Sequence, residues 1–563
     1  MIALYERSAE MNPFSSKFDA WQAGKCQLTE EEKLGYELFK EKGLCAECHI
    51  LDPDERAGKV LFTDHTYDNL GIPSNPGNPF FKVSAPYNTC GKDTMDLGLG
   101  SRLRDPEEYG KFRVPTLRNI AVTGDSLNEV NEAVRKNGRL RWIHVRHEET
   151  GAYAAAAEAQ LTGELACCAG SSGPGHVHLI NGLYDAQRSG ARVLAIASTI
   201  PSREFGTEYF QETNTIKLFD DCSYYNQVAT TPEQFPRMLQ GAMQAAISSC
   251  GVGVIGLPGD LAAENATAGL SSTFSFPTRQ RVCPAEQEIR ELADLLNNAK
   301  KVTLYCGIGA KDAHPELVQL AKYEKVRENL RSAAAVRGKE EKIQPEYVIS
   351  VVDELSSDDA IFTVDTGMTC VWGARYLQAT GMRKMLGSFN HGSMANAMPQ
   401  AIGAALAYPG RQVVALCGDG GISMLLGDLA TIVQYHLPIK LIVFNNRSLG
   451  MVKLEMEVAG LPDWQTTMLN PDFARVALSM GMAGYNVINP DDVFPTLQKV
   501  FNADGPALVN IMTDPNALAM PPKIEFSQML GFAQTMYKLM MEGRSKEVLD
   551  TIDTNLKHWK DVF

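Results

Sequence analysis

Two kinds of apolar pattern alternate along most of this chain. Short continuous runs, such as Val193-Leu194-Ala195-Ile196, Val252-Gly253-Val254-Ile255, Val413 to Cys417 and Ile439 to Phe444, read as buried strands. Amphipathic windows of helical period lie between them. This alternation over residues 120–260, and again over 346–520, predicts two doubly wound α/β domains with parallel sheets. Residues 261–284 are rich in Ser, Thr and Pro and read as a linker. Residues 285–345 hold a helix, a strand over Lys301 to Cys306, a Gly turn and a charged helix. The tail, 521–563, carries Phe532, Met536, Leu539, Met540, Val548, Leu549, Ile552 and Leu556 at roughly helical spacing. Residues 1–119 differ from all of this, being rich in Asp, Asn, Pro and Gly with few long apolar runs. There is no short repeat, but the two α/β blocks are candidates for a distant duplicated pair.

Length and charge narrow the classes. A chain of 563 residues needs about three or four domains, because single cores stop growing near roughly 250–300 residues. A net charge of −14 without a long basic block argues against nucleic acid as a partner. No run of 18 apolar residues is present to span a bilayer. Met1 to Cys26 lacks the basic, apolar, small-residue order of a signal peptide, so a cytoplasmic location is expected. Most of the twelve cysteines sit in apolar surroundings, as Cys306 and Cys417 do, and read as buried thiols.

The chemistry concentrates in two turns. Gly418-Asp419-Gly420-Gly421 ends one apolar run, and Asn445-Asn446 ends the next. Parallel strands bring both turns to one edge of a sheet, where open α/β folds bind ligands. Asp419 offers a carboxylate and Asn446 an amide oxygen, hard ligands that suit Mg²⁺. The glycines let backbone N–H groups approach a pyrophosphate. The alternative for Asp419 is a simple helix N-cap. Glu148 precedes a run of small residues, Gly151 to Ala157, and is either a partly buried acid or a solvated charge beside Glu149. Periodicity alone makes Met394 a core residue.

From Val122-Thr123-Gly124-Asp125-Ser126 onward the chain resembles the thiamine-diphosphate-dependent pyruvate oxidase family, bacterial quinone-dependent pyruvate dehydrogenases in particular. The segments that carry the resemblance are Arg146-His147-Glu148-Glu149, Gly170-Ser171-Ser172-Gly173-Pro174-Gly175, Tyr209-Phe210-Gln211-Glu212-Thr213, Gly387-Ser388-Phe389-Asn390-His391-Gly392-Ser393-Met394 and the Asp419 motif. It implies a pyrimidine-binding domain over 120–260, a truncated FAD-type domain with its linker over 261–345, and a diphosphate-binding domain over 346–520. The implied cofactors are thiamine diphosphate and Mg²⁺, and the implied reaction takes pyruvate and quinone to acetate and CO₂. Glu148 would hydrogen-bond the cofactor's aminopyrimidine ring, while Phe210, Gln211 and Met451 would face the substrate. Gly392, Ser393 and Met394 would contact the cofactor, with Met394 as the apolar wedge that holds it bent. Asp419, Asn446 and the Ser448 carbonyl would ligate the metal. Gly420, Gly421 and the segment Arg447, Ser448, Leu449, Gly450, Met451 and Val452 would complete the cofactor site.

The resemblance further implies a homodimer at least, usually a tetramer, with Glu148 of one chain facing the Asp419 site of its neighbour. It makes the tail a lipid-contacting segment at the inner membrane; the alternative is a helix packed on its own domain. The middle region keeps Cys306-Gly307-Ile308-Gly309 and Ala313-His314-Pro315-Glu316-Leu317, then passes to a charged helix, Glu324 to Arg337. The segments that would hold FAD are missing. That argues against flavin and leaves non-oxidative decarboxylation or acyloin formation. Family members also begin with a helix and strand for which only Asn119-Ile120-Ala121-Val122 can substitute here, so an imperfect sheet edge is expected.

The N-terminal block carries Cys45-Ala46-Glu47-Cys48-His49, a C-x-x-C-H motif. Its thiols can add to haem vinyl groups and its His can bind iron, though a helical thiol pair or part of a zinc site fits the residues too. With Gly35-Tyr36-Glu37-Leu38-Phe39, the run Phe62 to Gly71 and the run Gly110 to Asn119, it resembles one haem domain of the bacterial di-haem cytochrome c peroxidases. That implies a mainly α, cytochrome-c-like domain over 1–119, with haem c on Cys45 and Cys48, His49 as an iron ligand, and a periplasmic setting. The leading reading is therefore a thiamine-diphosphate enzyme. The alternatives are a haem electron-transfer or peroxidase protein, or an inactive chimera of the two families.

Overall fold

The structure is a computed structural model. It describes residues 125–137, 140–264, 284–300, 334–517 and 526–562, with short pieces elsewhere, 68–69, 111–112 and 118–121 among them. The chain divides into two compact units, Met1–Thr116 and Leu117–Phe563. In the first, Asp68–Asn69 pairs antiparallel with Lys111–Phe112. Cys45, Cys48 and His49 lie outside the described residues, and so do most of the linker and the Lys301 to Cys306 strand expected in the middle region.

The second unit is built on two six-stranded parallel sheets. The first contains β1 (Arg118–Ala121), β2 (Arg141–His144), β3 (Ala166–Gly170), β4 (Val193–Thr199), β5 (Tyr225–Val228) and β6 (Val252–Pro258), in the order β2-β1-β3-β4-β6-β5. The second contains β7 (Ile361–Val364), β8 (Lys384–Gly387), β9 (Val413–Gly418), β10 (Ile439–Asn445), β11 (Ala483–Val487) and β12 (Ala507–Met512), in the order β8-β7-β9-β10-β12-β11. The two orders are the same, as duplicated domains would have them. Strands β6 and β10 are buried at every position, because helices cover both faces of a parallel sheet.

One expectation is corrected here. Arg118–Ala121 is not a defective edge. It lies second in its sheet, parallel to both β2 and β3. The ladder is made by main-chain groups, so four residues of the junction supply it whatever their side chains.

The helices that matter for the site are α1 (Glu148–Thr162), α2 (Ile180–Arg188), α3 (Ala397–Ala407), α4 (Asp419–Met424) and α5 (Gly450–Val458). The tail forms α6 (Phe526–Met541) and α7 (Ser545–Val562). The His147 side chain caps α1 by accepting the Glu149 N–H, and Gly163 ends the helix at φ 76°. The small residues of α1 let it cross α3 at backbone contact; a Cβ on Gly403 would collide with the Ala154 carbonyl oxygen. Ile143, Val145 and Ala154 thereby enter one core with Ile402, Val413 and Ile439. Buried Asp428 adds a polar tie, accepting from the Arg146 N–H at 2.8 Å and the Thr150 hydroxyl at 2.8 Å.

The tail packs on α5. Lys453 Nζ meets Glu547 Oε1 at 2.9 Å, and the Thr535 hydroxyl donates to the Glu457 carbonyl at 2.8 Å. Phe532, Met536, Leu539 and Val548 form its inner face, whereas Met540, Leu549 and Ile552 are exposed. Among the described residues no helix is long and apolar enough to cross a membrane.

Candidate cofactor site

Strands β9 and β10 are adjacent and parallel, with Gly418 level with Phe444. The two polar turns therefore leave the same sheet edge. Gly418 is the N-cap of α4, so Asp419 is the helix's first residue rather than its cap. The Asp419 carboxylate is buried. Its Oδ1 accepts the Gly420 N–H at 2.9 Å, and its Oδ2 accepts the Arg447 N–H at 2.8 Å and the Asn470 amide at 2.7 Å. Burial pushes its carboxyl above the ordinary range, and these hydrogen bonds oppose that only in part. Asn446 Oδ1 accepts the Ser448 N–H at 3.0 Å, and Arg447 between them sits at φ 55°. The segment is anchored where the Leu449 N–H donates to Thr466 O, and the Met468 N–H donates to Arg447 O. Met451 packs half-buried on the second domain's core, and Val452 is exposed.

The helix expected after the glycines is broken. α4 stops at Met424, a 3₁₀ turn covers Leu426–Asp428, and a new helix runs Leu429–Gln434. Three glycines weaken it, and Asp428 turns its carboxylate to the other domain.

Packing explains both motif glycines. A Cβ on Gly420 would meet Met394 Cε at 3.0 Å and Leu449 Cδ2 at 3.1 Å; one on Gly421 would collide with the Asp365 carboxylate. Met394 thus lies over the Asp419 turn, carried by a loop with Gly392 at φ 78° and Ala395 at φ 65°. Asp365 is buried and accepts the Ala397 N–H at 2.9 Å and the Gly418 N–H at 3.1 Å. Desolvation pushes its carboxyl up to about 7.

Glu148 lies on the other side, buried at the start of α1. His178 Nδ1 donates to its Oε2 at 2.9 Å, and the His147 ring stacks on His178 with centroids 4.5 Å apart. A Cβ on Gly175 would come within 3.3 Å of Glu148 Oε1, and one on Gly173 within 2.7 Å of Gln211 Cβ. The Gly-Pro-Gly loop therefore carries Glu148 at one glycine and Gln211 at the other, with Gln211 held by the Ser172 hydroxyl at 2.8 Å. Phe210 is 77% exposed. An open cavity of about 680 Å³, lined by Phe205, Tyr209, Glu212, Thr213, Ile216 and Thr230, adjoins this segment.

Asn181 of α2 joins the two sides. Its amide nitrogen donates to Glu149 Oε1 at 2.7 Å and to Ser393 Oγ at 2.9 Å, and its oxygen accepts from His391 Nε2 at 2.8 Å. Within one chain the α1–α3 crossing and the Asn181 amide draw the two domains into contact at Glu149 and Ser393.

Asn181, Asp365 and Asn470 were missed by the sequence reading. Asn470 ends a ladder of amides, Asn486 to Asn510 to Asn445 to Asn470, that runs across β11, β12 and β10 to Asp419. The only sequence signal was polar residues inside apolar strands.

Two family models match this chain: the thiamine pyrophosphate enzyme N-terminal TPP binding domain over residues 118–218 and the C-terminal TPP binding domain over 365–511. Putative thiamine pyrophosphate-containing protein YdaP of Bacillus subtilis is 30% identical over 540 residues, which cover 76% of this chain and 94% of that protein. The chain belongs to the thiamine pyrophosphate enzyme family. An uncharacterised 42.6 kDa protein of Pseudomonas amyloderamosa is 51% identical over 205 residues, 36% of this chain and 52% of that protein. The pyruvate oxidase of Lactiplantibacillus plantarum is 28% identical over 485 residues, 65% of this chain and 80% of the enzyme. Neither family match reaches Cys45, Cys48 or His49, so the haem reading rests on the motif and the segments that resemble a cytochrome c peroxidase, without support from the family matches.

The residues fit the family's cofactor and a hard divalent cation. Asp419 is a buried carboxylate whose partners are all amides, and a cation is the group that would offset its burial.

Proposed function

We propose that this chain binds thiamine diphosphate with Mg²⁺ at the Asp419–Glu148 site and decarboxylates a small 2-oxo acid, pyruvate first. The observation that carries the proposal is the Asp419 turn itself, a buried carboxylate held only by N–H donors, level with the Asn446 turn and overlaid by Met394. The pyruvate oxidase relative supports the substrate.

Asp419, Asn446 and the Ser448 carbonyl would hold the metal, and Gly420 and Gly421 would face the diphosphate. Gly392, Ser393 and Met394 would shape the middle of the cofactor. When bound, thiamine diphosphate supplies the electron sink for the carbanion left by loss of CO₂. The chain's own part is to orient and to move protons. His178 holds Glu148 Oε2, which leaves Oε1 at the Gly175 face to exchange a proton with the aminopyrimidine ring. Gln211 and Met451 would border the substrate, and Phe210 would close over it.

The proposal ends at CO₂ release. YdaP aligns over 540 residues of which only 76% of this chain takes part, so the relative has many residues where this chain has none. This agrees with a shortened middle domain over 261–345, and a step through FAD or quinone is not included. Met424, Val452, Trp464 and Leu469 are exposed around the anchor, an apolar surface that a second copy would cover in a homodimer.

The test is CO₂ release from pyruvate with and without thiamine diphosphate and Mg²⁺. Glu148→Gln should lower the rate by about 10²-fold or more, in line with loss of an acid–base group. Unchanged release in that variant would refute the role of Glu148.

A further inference from the structure

The open cavity beside the 209–213 segment is lined by first-domain residues alone, and the chemistry proposed above does not use it. Its volume of about 680 Å³ is ordinary for a small-molecule site. The wall is held in shape by its own hydrogen bonds. The Glu212 carboxylate takes the Gly206 N–H on Oε1 at 2.6 Å and the Tyr209 N–H on Oε2 at 3.2 Å, which closes the 206–212 loop. Gly206 at φ 80° and Glu208 at φ 59° turn that loop. Behind Thr213 lies the His176 ring, wholly buried. Its Nδ1 faces the Ser198 carbonyl at 2.7 Å; a carbonyl can only accept, so Nδ1 carries the proton. Burial lowers the ring's affinity for a second proton. Nε2 therefore accepts, and the Thr213 hydroxyl donates to it at 2.6 Å.

Two more hydroxyls of the wall are committed in the same sense. Thr199 donates to the Ile200 carbonyl at 3.3 Å. Thr230 donates to Gln234 Oε1 at 2.8 Å, an atom that also takes the Thr230 N–H and is thereby fixed as oxygen. Each of the three has given its hydrogen to the protein and has only lone pairs left for a ligand. Glu208 and Glu212 add two carboxylates. Glu208 is exposed, and no hydrogen bond or ion pair ties it among the described residues. No Lys, Arg or His is among the lining residues, so the cavity disfavours a 2-oxo acid. The lining side chains of Phe205, Tyr209 and Ile216 are 41%, 47% and 46% exposed, apolar surface that a ligand would cover. Aromatic faces also attract cations. We propose that this cavity is a binding site for an organic ammonium ion, a protonated primary amine on an apolar or aromatic body. The ammonium brings donors to a wall that holds mainly acceptors, its charge answers Glu208 and Glu212, and its body covers Phe205, Tyr209 and Ile216. The inference does not depend on the thiamine reaction.

The experiment titrates the full chain calorimetrically with benzylammonium chloride, and separately with benzyl alcohol and sodium benzoate. These keep the ring and make the head group neutral or anionic. Benzylammonium should bind about tenfold more tightly than benzyl alcohol, the combined effect of an exposed ion pair and a cation–π contact. Benzoate should give no saturable heat. Added salt should weaken benzylammonium and leave benzyl alcohol unchanged. Glu208→Gln, at an exposed position, should weaken benzylammonium about threefold without affecting benzyl alcohol. Ile216→Trp should fill the cavity and abolish saturable binding of both, with thermal unfolding as the check that the variant is folded. The proposal is overturned if benzylammonium does not bind, if benzoate binds as well as benzylammonium, or if Glu208→Gln weakens benzyl alcohol and benzylammonium equally. Binding retained by a folded Ile216→Trp variant also overturns it, because the probe then sits elsewhere. Should Ile216→Trp fail to fold, the comparison of the two probes on Glu208→Gln decides.

Discussion

Asp365 is the residue on which the anchor's geometry hangs. It follows β7 and accepts N–H groups from the start of α3 and from Gly418, the residue before Asp419. Asp365→Asn preserves volume but turns one acceptor into a donor, leaving either the Ala397 or the Gly418 N–H without a partner. A buried unsatisfied donor costs about 1–3 kcal/mol. The titration adds a second signature. The folded-state carboxyl is raised from 3.8 to about 7. Folding therefore favours the protonated form, so the contribution is present at low pH and is lost as pH rises through 7. Between pH 5 and pH 8 this one group should take roughly 2–3 kcal/mol of stability from the unaltered chain, and nothing from the Asn variant. Urea unfolding of the cofactor-free protein should thus find the unaltered chain losing roughly 2–3 kcal/mol between pH 5 and pH 8, and Asp365→Asn losing nothing from this group. Parallel pH dependences for the two proteins would show that Asp365 does not titrate there.

Glu457 provides a comparable test at the tail. It is 1% exposed, its Oε2 has no hydrogen-bond partner and Lys453 Nζ is 3.9 Å from its Oε1. Burial raises its carboxyl to about 7, so stability should fall by roughly 2 kcal/mol from pH 5 to pH 8, and Glu457→Gln should remove that slope in urea titrations. Gly403→Ala should destabilise the α1–α3 crossing by about 1–3 kcal/mol, seen as a lower melting temperature, because the added methyl group meets the Ala154 carbonyl. An unchanged melting temperature would mean that the two helices are not held at backbone contact.

The elements were legible where the physics is local. Runs such as Val413 to Cys417 and Ile439 to Phe444 are apolar without alternation, and only a sheet covered on both faces requires that. A glycine turn and an asparagine turn at the ends of two such runs sufficed to bring Asp419 and Asn446 to one edge. Glu148 and Met394 were legible only through the resemblance, for one is an acid in an alanine-rich helix and the other a methionine in a loop. The strand Arg118–Ala121 was misread as a weak edge because side chains do not reveal which neighbours a backbone will pair with.

What the chain order could not show is contact at long separation. Asn181 meets Ser393 212 residues away, Arg146 meets Asp428 282 residues away, and Asn470 meets Asp419 51 residues away. Each is a polar side chain with no periodicity to betray it, because a hydrogen bond needs one partner at one place rather than a repeating face. Periodicity and motif thus suffice for two parallel sheets and for bringing Asp419 and Asn446 to one sheet edge. The contact between the two domains came only with packing, since small residues on α1 and α3 let two helices far apart in the chain touch.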